Sequence, residues 1–268
     1  MEEQQIRDFI ELVKLESTYK KFINYDIIHK LINIFDSDFT KQIYSNKIKN
    51  PLQIALQFYK EYNIGYYNTI IEGIKNKRIV ISNDILKSFC DVKNNITYIK
   101  LHGDDGDLFN IVHELAHFID INSTPSIIPN QYWFLSETFA FYIEKKLQTW
   151  LQKEKYSDLI LTRINNRIYF EQKMLKAIES ELYYEDLFRK KGTIESSDID
   201  IEKINAIMQY DTSNIVNYLL QYPLANILSD YLINNDLIHD DKQLAYECIN
   251  ADLYKVLEKY SINLKTLS

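Results

Sequence analysis

The chain has 268 residues, a formal net charge of −7 and a hydrophobic content of 46%, which supplies enough apolar side chains for a folded core. The acidic balance argues against a nucleic-acid partner and against binding to an anionic membrane surface. Cys90 and Cys248 are the only two cysteines, too few for a disulfide scaffold, and they favour a reducing compartment.

The N-terminal stretch MEEQQIRDFIELVKLE is acidic and amphipathic, unlike a signal peptide. No run of about 18 apolar residues occurs, so a transmembrane helix is not expected. We therefore expect a cytoplasmic protein, although export by a route that reads other signals remains compatible with the sequence. The composition leaves the oligomeric state open.

The first hundred residues predict helices followed by a small sheet. Residues 2–46 have the apolar spacing of two helices, a third helix starts at Asn50-Pro51, and one or two further turns follow through residues 66–74. The pattern then changes to β-like runs at residues 78–82 and 96–102, with Asn94-Asn95 as a turn between them. We expect these parts to be scaffold.

The next helix carries the motif His113-Glu114-Leu115-Ala116-His117. Two histidines four residues apart lie on one face of a helix, about 5.4 Å apart along its axis, where both can bind one Zn²⁺ ion. Glu114 projects beside them and can take a proton from a water that the metal activates. Asp107 precedes the first apolar residue of this helix and is a candidate N-cap. Asp120 can orient His117 as a hydrogen-bond acceptor, although a solvated Asp at a helix end is the simpler interpretation.

A catalytic zinc has three protein ligands and one open position, so a third ligand is expected downstream. Glu137, in WFLSETFAFYIEKKL, is the best candidate. Pro125 and Pro129 end the first helix, and a second starts near residues 131–136. Glu144 shares the face of Glu137, and both can be solvated charges. The aromatic surroundings of Glu137 make that interpretation poor for this residue, because an inward carboxylate needs a cation or a metal.

The remaining chain predicts more helices. Helical apolar spacing continues past Trp150 and recurs over residues 157–191, 198–209, 213–233 and 240–262. Gly192 with Ser196-Ser197 forms a linker.

These motifs resemble those of the gluzincin metallopeptidases, in which HExxH is followed by a glutamate on a later helix. Residues 137–144, ETFAFYIE, look like the E-x-P-S-Q-x-x-E helix of the thimet oligopeptidase and oligoendopeptidase F family, where the first Glu binds zinc. The stretch NITYIKLHGDDGDLF is similar to that family's strand-then-helix entry. A thermolysin-type pattern is disfavoured because Phe141 stands where it has an Asp. The resemblance covers roughly residues 95–150.

The resemblance implies further roles. In zincins the strand before the metal helix is an edge, so residues 96–101 are predicted either to bind the substrate main chain or to form a plain edge strand. That family also uses a Tyr, with a His, to stabilise the oxyanion. Asn214–Ala225 is similar to its Tyr-bearing helix and nominates Tyr218 and Tyr222, with His239 as a weaker candidate. This chain departs from that family in two respects, since the family's Tyr-bearing segment is Gly-rich and its members are longer. The chain also has 21 Tyr, so a Tyr at any one position is a weak signal.

The sequence thus predicts a mainly α (α+β), zincin-like protein of one domain, with lobes at about 1–125 and 126–268. One Zn²⁺ on His113, His117 and Glu137, with Glu114 as the base, would hydrolyse peptide bonds in peptides or unfolded segments. The partner expected is a peptide or protein substrate, not nucleic acid or membrane. Alternatives are a regulatory metalloprotease with a single protein target, a degenerate zincin-fold module that only binds peptide or protein, and a structural helix without metal.

Overall fold

The computed structural model describes residues 40–123, 133–154, 156–210 and 218–234. It is mainly helical with a small three-stranded sheet, as the sequence predicted. Of the two helices expected within residues 2–46, the part up to residue 39 lies outside the described residues, as does the helix expected at 240–262. Residues 40–46 are not helical, so the prediction is wrong for that part. In chain order the elements are α1 Pro51–Tyr62, α2 Ile64–Lys75, β1 Ile79–Ser82, β2 Phe89–Asp91, β3 Ile96–Lys100, α3 Asp107–Ser123, α4 Trp133–Lys153, α5 Ser157–Lys191, α6 Ile201–Met208 and α7 Gln221–Asn234.

The chain divides into two compact units. Unit A consists of Thr40–Arg167 and Leu224–Asp252, and unit B consists of Met1–Phe39, Ile168–Pro223 and Leu253–Ser268. Helix α5 begins in unit A and continues into unit B. The single-domain organisation expected from the sequence stays a prediction. Among the described residues, no helix combines the length and the apolar character needed to cross a membrane.

Asparagine side chains cap the N-termini of the first two helices of unit A. Asn50 caps α1, since its side-chain oxygen accepts from the backbone N–H of Gln53 at 3.2 Å, and Pro51 occupies the first turn. Asn63 ends α1 and caps α2 by accepting from the N–H of Gly65 at 2.9 Å. The predicted pair of helices after Asn50 is therefore confirmed, and a single capping residue between them sets the break.

The sheet has the order β1-β3-β2, with β3 parallel to β1 and antiparallel to β2. The prediction that residues 96–101 form an edge strand is wrong, because β3 already pairs with a strand on each side. Strand β2 was not predicted, since its three residues are too few to show alternation. It is held in part by the Phe89 ring, which stacks on the Tyr98 ring of β3 at 4.7 Å between centroids.

Helix α3 is the buried element around which unit A packs. The predicted apolar positions of this helix are all at most 1% exposed: Leu108, Ile111, Val112, Leu115, Ala116 and Ile119. The helix contacts α1, α2, α4 and β3. Tyr59 of α1 donates a hydrogen bond from its hydroxyl to the carbonyl of Val112 at 2.8 Å. Such burial on most sides makes α3 a rigid platform for the two histidines it carries.

The loop before α3 is held by Asp107. Asp107 is the first helical residue, and its carboxylate accepts hydrogen bonds from the backbone N–H groups of His102 at 2.7 Å and Gly103 at 2.8 Å. Asp107 is therefore not the N-cap that the sequence analysis expected, because its carboxylate holds the preceding segment instead of the first N–H groups of the helix. His102 itself is exposed.

Residues 40–48 form an extended strap across unit A. Asp105, 2% exposed, accepts from the backbone N–H groups of Lys47 at 2.8 Å and Ile48 at 2.7 Å and from the Ser45 hydroxyl. Farther along, the side chain of Asn166 accepts from the N–H of Gln42 at 2.7 Å and donates to its carbonyl at 2.9 Å. The strap is thereby held through its main chain by two buried side chains.

In unit B, helix α5 ends at Lys191 and is followed by Gly192 at a φ of +72°, which a glycine adopts without strain. A short 3-10 helix, Ser196–Asp198, precedes α6. Asp200 caps α6, and its carbonyl accepts from the Tyr184 hydroxyl at 3.1 Å. The predicted linker between residues 192 and 197 is confirmed.

Candidate metal centre

Helix α3 places both histidine rings of the HExxH motif at one point. They are four positions apart in the sequence, so the helix stacks them one turn apart. Their ring centroids are 4.7 Å apart and their Nε2 atoms 3.1 Å apart. His117 is 3% exposed.

Helix α4 brings Glu137 to the same point. Its carboxylate is 4% exposed, with Oε2 3.2 Å from His113 Nε2 and Oε1 3.6 Å from His117 Nε2. The three donor atoms lie within 4.8 Å of one another, an arrangement that can hold a metal ion. The third ligand predicted from the sequence is thus brought beside the first two.

The donor set fits zinc in both chemistry and spacing. Two imidazole nitrogens and one carboxylate oxygen are a known ligand combination for a catalytic Zn²⁺. Ligand atoms at tetrahedral positions about 2.0–2.1 Å from the ion lie about 3.3 Å from each other. The two Nε2 atoms are 3.1 Å apart, and the contacts of Glu137, 3.2 Å from Oε2 to His113 and 3.6 Å from Oε1 to His117, are close to that value.

The outer nitrogen of His113 binds Glu144, which also lies on α4. The distance from His113 Nδ1 to Glu144 Oε1 is 2.6 Å, and Glu144 is 3% exposed. Arg163 and Arg167 of α5 bind the same carboxylate. Although burial alone would raise it, these two positive charges hold the pKa of Glu144 well below its ordinary value. The carboxylate is therefore ionised, and His113 must donate its Nδ1–H to it.

The outer nitrogen of His117 binds Ser136 instead. His117 Nδ1 lies 2.9 Å from Ser136 Oγ, and the Ser136 hydroxyl donates to Asp120 Oδ2 at 2.8 Å. Since that hydroxyl has one proton, which it gives to Asp120, it accepts from His117 Nδ1–H. The sequence suggested Asp120 as a direct acceptor for His117, whereas the structure places Ser136 between them.

Glu114 follows His113 on α3 and is 9% exposed. Burial raises the pKa of Glu114, and the neighbouring histidines oppose that rise. A carboxyl group whose pKa is raised takes up a proton more readily than a free one, which suits a general base.

The charges of the ligands depend on each other. Although burial would raise it, His117 and His113 hold the pKa of Glu137 well below its ordinary value. Burial lowers the pKa of His113, but the hydrogen bonds that its ring donates to Glu137 and Glu144 outweigh that effect and raise the pKa to about 9.

The predicted oxyanion tyrosines belong to the other compact unit. Tyr218 and Tyr222 lie in unit B, one helical turn apart, and the Tyr222 hydroxyl is 3.4 Å from that of Tyr218. Tyr218 is 48% exposed. Their role stays a prediction, and His239 lies outside the described residues.

Sequence reasoning missed Ser136, Arg163 and Arg167. The arginines are four residues apart, so they share one face of α5. That spacing is visible in the sequence, but nothing local indicates that this face meets a carboxylate. Ser136 directly precedes the ligand Glu137, which makes it a position worth examining in such motifs.

No known protein family, curated protein sequence or solved structure matches this chain.

Proposed function

We propose that the chain is a zinc-dependent metallopeptidase that hydrolyses peptide bonds in peptides or unfolded segments. The observation that carries the proposal is the convergence of His113, His117 and Glu137 from two helices, with the buried Glu114 next to the first ligand. The donor set, its spacing and the anchoring of both histidines through Nδ1 support zinc.

Each residue of the site has a role in hydrolysis under this proposal. His113, His117 and Glu137 would hold the ion. Bound Zn²⁺ would act as a Lewis acid that polarises the substrate carbonyl and lowers the pKa of water. Glu114 would take one proton from water as the water oxygen adds to the carbonyl carbon. It would return that proton to the leaving amine when the C–N bond breaks.

The sheet supports an extended substrate. Because β3 is central, the main-chain binding edge is assigned to β2 instead of residues 96–101. Asn110 of α3 donates to Ser88 Oγ at 3.1 Å and to the Lys100 carbonyl at 2.7 Å, so the start of β2 and the end of β3 are fixed to the metal helix one turn before His113. An edge strand offers free N–H and C=O groups to a peptide.

The experiment combines metal analysis with a peptide-library cleavage assay read by mass spectrometry. Wild type should contain about one zinc per chain and cleave library peptides. Glu114→Gln should keep the zinc and lose turnover by at least about a hundredfold, which is the typical contribution of a general base. Glu137→Gln should lose zinc, and Glu202→Gln, an exposed glutamate on α6, should change neither property.

Two results would contradict the proposal. Cleavage that persists at the wild-type rate in Glu114→Gln would exclude this residue as the base. Zinc bound at full occupancy without cleavage of any library peptide or unfolded protein would favour a module that only binds.

A further inference from the structure

The carboxylate behind His113 is itself held on both oxygens. We infer that Arg163 and Arg167 are positioning residues of the metal centre, which act through Glu144 to set the orientation of the His113 ring. The inference rests on the metal site of the proposed function and is independent of whether the substrate is a peptide.

The hydrogen bonds leave Glu144 no free rotation. Arg163 donates to Oε2 from Nε at 2.8 Å and from an Nη atom at 2.6 Å. Arg167 donates to Oε1 at 3.2 Å, and the same oxygen accepts from His113 Nδ1 at 2.6 Å. Because turning the carboxylate would break the contacts on both oxygens, its Oε1 lone pairs stay directed at the imidazole.

The arginines are in turn fixed by the two metal-bearing helices. The Arg163 guanidinium lies over the Phe109 ring of α3, 5.4 Å from its centroid, and the Arg167 guanidinium lies 3.7 Å from the centroid of Phe141 on α4. The Phe141 ring is also 5.2 Å from the His113 ring. Cation–π contacts of this kind restrict the guanidinium plane. Helix α5 therefore connects α3 and α4 at the level of the first ligand.

Charge balance gives the arginines a second effect. Burying a carboxylate without a compensating charge destabilises the fold, and removing one partner from such a network leaves the desolvation of the charge uncompensated. With two cations beside it, Glu144 can remain buried as a hydrogen-bond acceptor for His113. When His113 binds a metal as the neutral imidazole, the Nδ1–H bond leaves the lone pair on Nε2, the atom that faces Glu137 and His117.

The test is the zinc affinity of purified full-length variants, measured by competition with a chromophoric chelator. Arg163→Met keeps the apolar stem over Phe109 but removes both bonds to Oε2. Zinc binding should weaken about 10- to 100-fold, the range observed for residues that orient metal ligands. Arg163→Lys restores one donor and should recover part of the loss. Arg189→Met, at an exposed position of the same helix, should bind zinc as wild type does.

A second readout separates positioning from a general loss of stability. In the zinc-loaded protein, the Nδ1–H protons of both ligand histidines should be observable by NMR. Arg163→Met should speed the solvent exchange of the His113 proton and leave that of His117, whose partner is Ser136, unchanged. If Arg163→Met does not fold, Arg167→Met, which removes the single longer bond, carries the same measurements with a smaller expected loss.

The outcomes are distinct. Wild-type affinity in the methionine variants, or equal effects on the two histidine protons, would overturn the inference while the metal site stands. Wild-type protein that binds no zinc would overturn the metal site and this inference together. Zinc bound without peptidase activity, but weakened in Arg163→Met, would support the inference and contradict only the proposed function.

Discussion

At the residue scale, the centre is defined by which nitrogen of each histidine carries the proton. His113 and His117 both donate through Nδ1, to Glu144 and to Ser136 respectively. The Nε2 atoms of both rings then face the carboxylate of Glu137. The two Nδ1–H hydrogen bonds differ in strength, because the acceptor for His113 is an ionised carboxylate. The acceptor for His117 is a hydroxyl, which itself donates to Asp120.

The Ser136 hydroxyl, which links His117 to Asp120, leads to a prediction for Ser136→Ala. The change removes the acceptor of His117 Nδ1–H and leaves a buried donor without its partner. We expect zinc affinity, measured by chelator competition, to fall about tenfold, the lower end of the range for such supporting groups.

The matched control is Thr149→Ala on the same helix. Its hydroxyl donates to the Lys145 carbonyl and is exposed, so its removal should not affect zinc affinity. An unchanged affinity in Ser136→Ala would show that Asp120 does not act on His117 through this residue.

The candidate ligands could be predicted from the sequence, whereas the residues that hold them in place could not. Helix geometry alone places His113 and His117 together, since four residues make about one turn. Glu137 could be chosen because a carboxylate among aromatic side chains needs a partner. Arg163 contacts Glu144 across 19 residues of chain and two different helices, and no local pattern encodes such a contact.

At the element scale, α3 is the helix that every neighbour in unit A approaches closely. One close approach is at Gly73 of α2, where an added Cβ would lie 2.5 Å from the Phe118 ring and 2.8 Å from Ile79 Cδ1. Phe118 is fully buried and follows the ligand His117 in sequence. The close spacing between α2 and α3 therefore depends on the lack of a Cβ atom at Gly73.

Gly73→Ala should lower the free energy of unfolding by about 1–3 kcal/mol, the usual range for overpacking a rigid core. Urea denaturation followed by circular dichroism would measure it. Asn68→Ala, at an exposed position of the same helix, gains helix propensity and should leave stability equal or slightly higher. Equal stability of Gly73→Ala and wild type would mean that α2 can move away from Phe118.

The helices were easier to predict than the sheet for a physical reason. Apolar periodicity over 17 residues identifies α3 without ambiguity. The order of strands depends on pairing between segments. Strand β2 has only three residues, so it can be recognised as a strand only from its pairing with β3. The sequence thus indicated a small sheet but assigned its central strand to an edge.

At the scale of the whole molecule, the ligands come from two helices joined by a segment that the described structure does not include. His113 and His117 lie on α3 and Glu137 on α4, both in unit A. A metal bound by both helices stabilises the folded state, since the unfolded chain does not bring these residues together.

Zinc should therefore raise the thermal unfolding midpoint. At a zinc concentration of 100 times Kd the stabilisation is about 2.7 kcal/mol, and a chelator should reverse it. Glu114→Gln should show the same increase, because this residue is not a ligand. Glu137→Ala should show little or none relative to its own zinc-free midpoint. A zinc-dependent increase of wild-type size in Glu137→Ala would place the third ligand elsewhere.

The strap of residues 40–48 has an evolutionary consequence. Apart from the Ser45 hydroxyl, its contacts to Asp105 and Asn166 use main-chain groups that every residue except proline possesses. Side chains of the strap that make no such contact and point to solvent can consequently diverge, as at Ile43, which is 94% exposed. Selection should instead preserve the two residues that hold it, which lie about 60 and 120 positions away in the chain.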